Sequence, residues 1–203
     1  GFIKESLEIL EIPFIIFEQN KLYKVKNLLI TSHVGTAGNY HKEAIKKISK
    51  SIINSQKIKL PNVDERNKKI WISRQDADKR KIENFEEVKE ILDKYNYEIV
   101  NYEKLNFKDQ IIMSNKAKVI GGLHGGGLTN MLFMDTGSLI FEIRDENDYF
   151  NNCFFTLSSE LNHKYFYFLG KANKENDFYA SDYIVDIKKL DKELKEIEKI
   201  IFD

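Results

Sequence analysis

Residues 118–130, Lys-Val-Ile-Gly-Gly-Leu-His-Gly-Gly-Gly-Leu-Thr-Asn, constrain this chain more than any other stretch. A short apolar run with strand character stops at two glycines. A histidine follows, then three more glycines, and a helix-like segment runs from Leu128 to Met134. Glycines at a strand-to-helix turn let backbone N–H groups come close to a ligand, and a helix start adds positive dipole there. The guest such a turn favours is an anion, most often a phosphate. The same glycines can also serve only as a tight turn.

The surrounding pattern supplies the fold. Lys69–Ile72 reads as a strand, and Phe85, Val88, Ile91, Leu92 and Tyr95 line one face of a helix after it. Tyr97–Val100 is a second strand, followed by a helix around Phe107 and Ile111. Val119–Gly122 leads into the glycine turn, and Asp135-Thr136-Gly137-Ser138 is a turn before strand Leu139–Ile143. Phe150, Phe154, Leu157 and Leu161 fit a helix, Tyr165–Leu169 a strand, and Leu190, Leu194, Ile197 and Ile201 a closing helix. Strands alternating with helices predict an α/β fold, a Rossmann-like parallel sheet with helices on both faces. Upstream, Ile3, Leu7 and Leu10 have helical spacing, stopped by Pro13. Phe14–Phe17 and Leu28–Thr31 read as buried strands, and Ile45, Ile48 and Ile52 mark a helix ending near Asn54. The polar, turn-rich segment 56–68 places a boundary near Pro61. Residues 1–60 are then a partial N-terminal lobe or flanking α/β segment, and residues 61–203 the ligand-binding lobe.

In open parallel sheets ligands bind beyond the carboxyl ends of the strands. Ser73 and Arg74 directly follow the first strand of the regular region, His124 and the glycines follow the third, and Glu142 and Arg144 close the fourth. Arg74 and Arg80 carry fixed charge and forked donors suited to a diphosphate. The Gly125–Leu128 backbone can donate to the same group and Thr129 can add a hydroxyl. Glu142 can accept from both hydroxyls of a ribose, and His124 can donate to a phosphate oxygen or a sugar hydroxyl. Bland readings stand beside these: Arg74 as the partner of Asp76 or Asp78, Arg80 as a solvated cation at a helix start, Glu142 as a charge that solvates a strand end. Asn84 with Glu87 reads as a capping box. Tyr149, Phe150, Phe154, Phe155 and Tyr165–Phe168 read as core, with Cys153 buried among them.

Several classes drop out. Acidic and basic residues balance at 32 each, so no global field attracts nucleic acid or an anionic membrane. One cysteine permits no internal disulfide and suits a reducing compartment, hence a cytoplasmic location. No apolar run approaches the roughly 20 residues that span a bilayer, which leaves only peripheral membrane association. The start at Gly1 suggests a piece of a longer chain. His33, His41, His124 and His163 have no metal-ligand spacing. Asn130 stands where a dinucleotide fingerprint needs its third glycine, and the Gly-Lys-Ser/Thr ending of a P-loop is missing. His124-Gly125-Gly126-Gly127 matches an esterase oxyanion motif, yet the Gly-x-Ser-x-Gly elbow that should accompany it is absent from the sequence.

Taken together, Ile72-Ser73-Arg74 with Arg80 and Asn84, then His124-Gly125-x-Gly127-Leu128-Thr129-Asn130-Met131-Leu132-Phe133-Met134, then Ile140-Phe141-Glu142-Ile143, resemble the family 61 glycosyltransferases. Bacterial capsular and surface polysaccharide enzymes are among them. The similarity is clearest over residues 69–170. It implies a two-lobed GT-B fold, of which this chain is the C-terminal lobe plus part of the N-terminal one. It also implies inverting transfer from a nucleotide-sugar donor to a glycan or polysaccharide acceptor, with no metal. By position, Arg74, Arg80, His124, Gly125, Gly126, Gly127, Leu128, Thr129, Asn130 and Glu142 correspond to the family's donor-site motifs. The family commonly has alanine at Gly126, arginine at Lys79, and a proline pair at Asp135-Thr136. His33, just after the Leu28–Thr31 strand, is the candidate base for the acceptor. The rival reading is a non-catalytic nucleotide-binding or partner-docking module of the same fold.

Overall fold

The computed structural model describes residues 2–30, 32, 33, 35, 38–55, 57–148, 151–173 and 180–202. Six strands form one curled sheet: β1 (Lys68–Ile72), β2 (Tyr97–Val100), β3 (Ala117–Leu123), β4 (Leu139–Asp145), β5 (Lys164–Ala172) and β6 (Tyr183–Ile184), in the order β2-β1-β3-β4-β5-β6. The first five are parallel, and β6 runs antiparallel to β5. The sheet is therefore mixed, mostly parallel, and the short β6 edge is a correction to an all-parallel reading. Two residues carry too little periodicity to announce a strand.

Alternation along the strands splits the core in two. Trp71, Val119, Leu139, Phe141, Ile143 and Phe168 face α3 (Phe85–Lys94) and α6 (Ile187–Phe202), whose Val88, Leu92, Leu190, Leu194 and Ile197 complete that layer. Ile70, Ile72, Ile120 and Ile140 face the opposite way. There they meet Leu128 and Met131 of a 3₁₀ helix (Gly126–Phe133) and Phe154 and Leu157 of α5 (Cys153–Glu160). Both faces are covered, as near-continuous apolar strands require. α4 (Phe107–Asn115) lies beside the 3₁₀ helix, and Phe107, Ile111 and Phe133 join Ile9, Ile52 and Ile58 in a third cluster.

That cluster draws in the N-terminal helices, α1 (Phe2–Ile9) and α2 (Lys42–Ile53). Glu5 accepts a 2.8 Å hydrogen bond from the Phe107 amide at the start of α4. α1 ends before Pro13: Glu11 takes φ 56° and Ile12 N–H reaches back to Leu7 O at 2.9 Å, the arrangement that closes helices through a left-handed residue. The two upstream strands do not form. Residues 14–17 and 28–30 carry no strand assignment, and Ile15, Leu29 and Ile30 are 83, 89 and 79 % exposed. Strand propensity reflects fit to a half-buried pleated surface, and no sheet edge of the described residues receives these segments. Thr31, Tyr149 and Phe150 lie outside the described residues. No helix among the described residues is long and apolar enough to cross a membrane.

His163, in the turn before β5, fastens the 3₁₀ helix to this layer through Nε2–H to Met131 O at 3.0 Å. Its Nδ1 is buried without a partner among the described residues. Burial pushes the ring below its ordinary value of 6.5, and the bond to Met131 offsets part of that shift. The folded protein thus takes up the proton less readily than the unfolded chain, so stability falls as pH drops below about 6.5. Melting temperatures between pH 7.5 and 5 should show a decline that is shallower in His163→Gln; parallel declines would remove His163 as its source.

Candidate functional site

β1 and β3 are neighbours, and the chain leaves β1 for β2 on one side and places β3 on the other. The strand order β2-β1-β3-β4-β5 makes the β1/β3 junction the topological switch point, where the loops after both strands diverge and leave a crevice. Arg74 and Arg80 come from the loop after β1, and His124 with Gly125–Gly127 from the loop after β3.

Close approach builds the junction. A Cβ on Gly122 would sit 3.1 Å from Ile72 O, and one on Gly127 would sit 3.0 Å from Ile72 Cγ2. A Cβ on Gly125 would lie 3.1 Å from Arg74 Nη1, so the missing side chain is what admits the guanidinium. Gly126 differs: a Cβ there meets nothing within 4 Å. At the first turn of the 3₁₀ helix backbone N–H groups have no intrahelical acceptor, and Gly126 and Gly127 occupy it. Leu128 and Asn130 are buried, while Thr129 is exposed on the same helix. Asn130 donates to Gly127 O at 3.1 Å and to Gln110 Oε1 at 3.3 Å, holding the turn from behind.

The other loop is stapled by Gln75, whose side-chain amide donates to Ile82 O at 2.9 Å and accepts from Ile82 N–H at 3.0 Å. Asp182 and Tyr183 clamp its far end through Lys81 N–H to Asp182 Oδ1 and Tyr183 N–H to Lys81 O, both 2.8 Å. Within it Arg80 has φ 61°, a conformation costing a side-chain-bearing residue about 1–2 kcal/mol. That backbone carries its Nη1 to His124 O at 3.2 Å. Arg74 donates to Lys79 O at 3.5 Å and has Glu103 4.0 Å away. Neither guanidinium Nε has a partner among the described residues, and both are buried. Burial, then the neighbouring Arg80 charge, lowers the Arg74 pKa, with Glu103 opposing. Two cations thus crowd a partly dry corner, with the Glu103 carboxylate 4.0 Å from one of them. The ion pair with Asp76 does not form: Asp76 binds Lys104 and Asn101.

Glu142 is turned inward rather than toward a ribose. It is 1 % exposed, one oxygen accepts from His124 Nδ1–H, and the other accepts from the Tyr165 hydroxyl. The amide of Asn151 donates to His124 Nε2 at 3.0 Å. These partners fix one tautomer, proton on Nδ1 and lone pair on Nε2, so His124 accepts at Nε2 rather than donating there. Burial, followed by the charge of Glu142, raises the Tyr165 pKa well above its ordinary value and keeps the hydroxyl a donor. Phe154 closes the imidazole from the side, ring centroids 4.9 Å apart.

Other readings change. His33 is exposed and no strand precedes it, so the placement that made it a base candidate is gone. Asn84 makes no capping box; its side chain brackets Val185, donating to O at 2.9 Å and accepting from N–H at 3.0 Å. Cys153 is half-buried with a raised pKa, from burial first and Glu142 second. Sequence reasoning missed Gln75, Asn151 and Tyr165. Tyr165 had been assigned to the core by its aromatic run, and the other two carry no periodic signal.

Between the two loops lies a cavity of about 40 Å³, bounded by Ile72, Ser73, Arg74, Tyr102, Glu103, Gly125, Gly127 and Leu128. Since a water occupies about 30 Å³ of liquid, this space suits an oxyanion group and not a whole nucleotide. A family model described as Glycosyltransferase 61 matches residues 2–141. The chain is also similar to the EGF domain-specific O-linked N-acetylglucosamine transferase of Drosophila melanogaster, 37% identical over 62 residues. That match covers 30% of this chain and 12% of the relative, so the chain spans a small part of that protein's length. The glycine geometry makes a sharp contrast: Gly126→Ala should change stability by no more than about 0.5 kcal/mol, and Gly127→Ala should cost about 1–3 kcal/mol. Denaturant melts of the two variants compare them directly, and equal losses would contradict the packing described.

Proposed function

Because the chain belongs to glycosyltransferase family 61, we propose that it is the donor-binding part of an inverting, GT-B-type enzyme. In this reading the enzyme transfers a sugar from a nucleotide-sugar to a hydroxyl of a glycan or polysaccharide acceptor. The observation that carries the reading is the crowding of Arg74 and Arg80 beside the open first turn of the 3₁₀ helix. Their mutual repulsion is relieved by a diphosphate, and the guanidinium Nη groups and first-turn N–H groups supply its donors.

Transfer displaces the nucleoside diphosphate from the anomeric carbon as an acceptor hydroxyl attacks. Negative charge grows on the leaving phosphate in the transition state, and donors fixed beforehand stabilise it without reorganising. By analogy with oxyanion donors, a positioned group of this kind contributes about 2.7–4 kcal/mol. The leaving charge is met by side-chain and backbone donors, and the reading assigns no metal. Glu142 acts through His124: it sets the tautomer that makes Nε2 an acceptor, a position the Asn151 amide fills and a donor hydroxyl would take by displacing it. The small cavity at the junction receives one oxyanion group of the diphosphate, and the remainder of the donor lies on the open carboxyl edge of the sheet. The acceptor's base lies outside this set.

UDP, GDP and CMP titrated into the wild-type chain should reveal a ligand among the three. Arg74→Ala should then weaken that binding at least tenfold, equivalent to about 1.4 kcal/mol, with an unchanged melting temperature. Equal affinity of wild type and variant in calorimetry would end the assignment.

A further inference from the structure

A second cleft opens on the α5 face of the sheet, at the other end of the His124 network. It has a volume of about 400 Å³ and is lined by Arg144, the carboxylates Asp145, Glu146 and Asp148, Asn152, and an aromatic wall. That volume lies in the range usual for small-molecule sites. The wall consists of Tyr165 and Tyr167, stacked at 6.4 Å and 29°, with Phe155 edge-on to Tyr165 at 5.5 Å. Tyr167 and Phe155 are 57 and 50 % exposed on a face that is elsewhere core.

The chemistry of the lining selects its guest. Three carboxylates and one guanidinium line the cleft. Asp145 accepts from the Asn147 and Ala172 amides, and Asp148 accepts from the Asn151 amide and has its Oδ2 3.9 Å from Arg144 Nη2, while Glu146 is exposed. The guanidinium is committed: Nη1 donates to Asn152 Oδ1 at 2.9 Å, and Nη2 to Asn151 O at 2.8 Å and Asp148 O at 3.1 Å. A phosphate or an acidic sugar would meet net negative charge here. A neutral ring with hydroxyls around its edge and C–H bonds on its face fits both halves, hydroxyls to carboxylates and apolar face to aromatic wall. Arg144 adds an independent sign of a guest. It is 7 % exposed, yet its Nε has no hydrogen-bond partner among the described residues. A buried donor left so usually has a missing acceptor. The wall separating this cleft from His124 is two hydrogen bonds thick, Tyr165 to Glu142 and Glu142 to His124.

We propose that this cleft is a subsite for a neutral pyranose of the acceptor glycan, separate from the anion site at the β1/β3 junction. Its assignment to the acceptor rests on the glycosyltransferase reading, whereas its occupancy by a sugar can be measured by itself. Saturation-transfer NMR on the full chain, with methyl β-glucopyranoside, methyl β-galactopyranoside and methyl β-xylopyranoside as probes, reads it. At least one glycoside should receive saturation, with affinity reduced at least fivefold by Tyr167→Ala and by Phe155→Ala. Nucleoside diphosphate affinity should stay within twofold in both variants. Absence of transfer to all three glycosides, transfer unaffected by the two substitutions, or displacement of the glycoside by uridine would each overturn the proposal. If Arg74→Ala leaves diphosphate affinity unaltered while Tyr167→Ala still abolishes glycoside binding, the anion site fails and the sugar subsite stands.

Discussion

The close approach of β3 and its loop to β1 is the constraint from which the rest of this structure follows. A Cβ at Gly121 would come within 3.0 Å of the Trp71 ring, and Gly122 and Gly127 press equally hard on Ile72. No side chain larger than hydrogen fits these positions without moving a buried neighbour. The same closeness brings the guanidinium of Arg74 against the Gly125 backbone. Packing and ligand geometry therefore share one set of glycines, and neither can be altered alone.

Around that junction the molecule gives up local stability. Arg80 holds a left-handed backbone although it carries a long side chain. Arg74 and Arg80 repel each other where solvent is partly excluded. Local conflicts of this kind are frequent at functional sites, and the surrounding layers carry a few of their own, among them the His163 Nδ1 and the Tyr97 hydroxyl, each buried without a partner among the described residues. The paired faces of the sheet, Val119 and Phe141 on one side and Ile120 and Ile140 on the other, are apolar and fully packed.

What could be read from the residues divides along the same physical line. β2 is legible from sequence to the residue, and α3 is legible as a helix, because Val88 and Leu92 repeat at helical spacing against a buried sheet. The polar residues at strand ends were legible because sheet topology sends them all to one edge. Residues 14–17 and 28–30 misled, since an apolar run specifies a strand only when a neighbouring strand is available. Glu142 misled in a different way. A carboxylate at a strand end can point out or in, and the partners that turn it inward, His124 and Tyr165, are 18 and 23 residues away. Asn84 gave the letters of a capping box, and a pairing with Val185, 101 residues distant, took its side chain instead. Side-chain partners at such separations leave no periodic trace.

A formal charge of zero conceals a segregated carboxyl edge. Cations gather where β1 and β3 end, and carboxylates gather where β4 ends and β5 passes. Between them Glu142, buried and bonded on both oxygens, holds His124 in one tautomer. A uniform edge of either sign would attract one class of ligand along its whole length. On the functional reading proposed above, separation into a cationic half and an anionic half would divide the edge between a diphosphate and an uncharged, hydroxylated partner. The Tyr165–Glu142–His124 chain lies between the two halves, with Glu142 bonded on both oxygens and its charge among the causes that raise the Tyr165 and Cys153 pKa values.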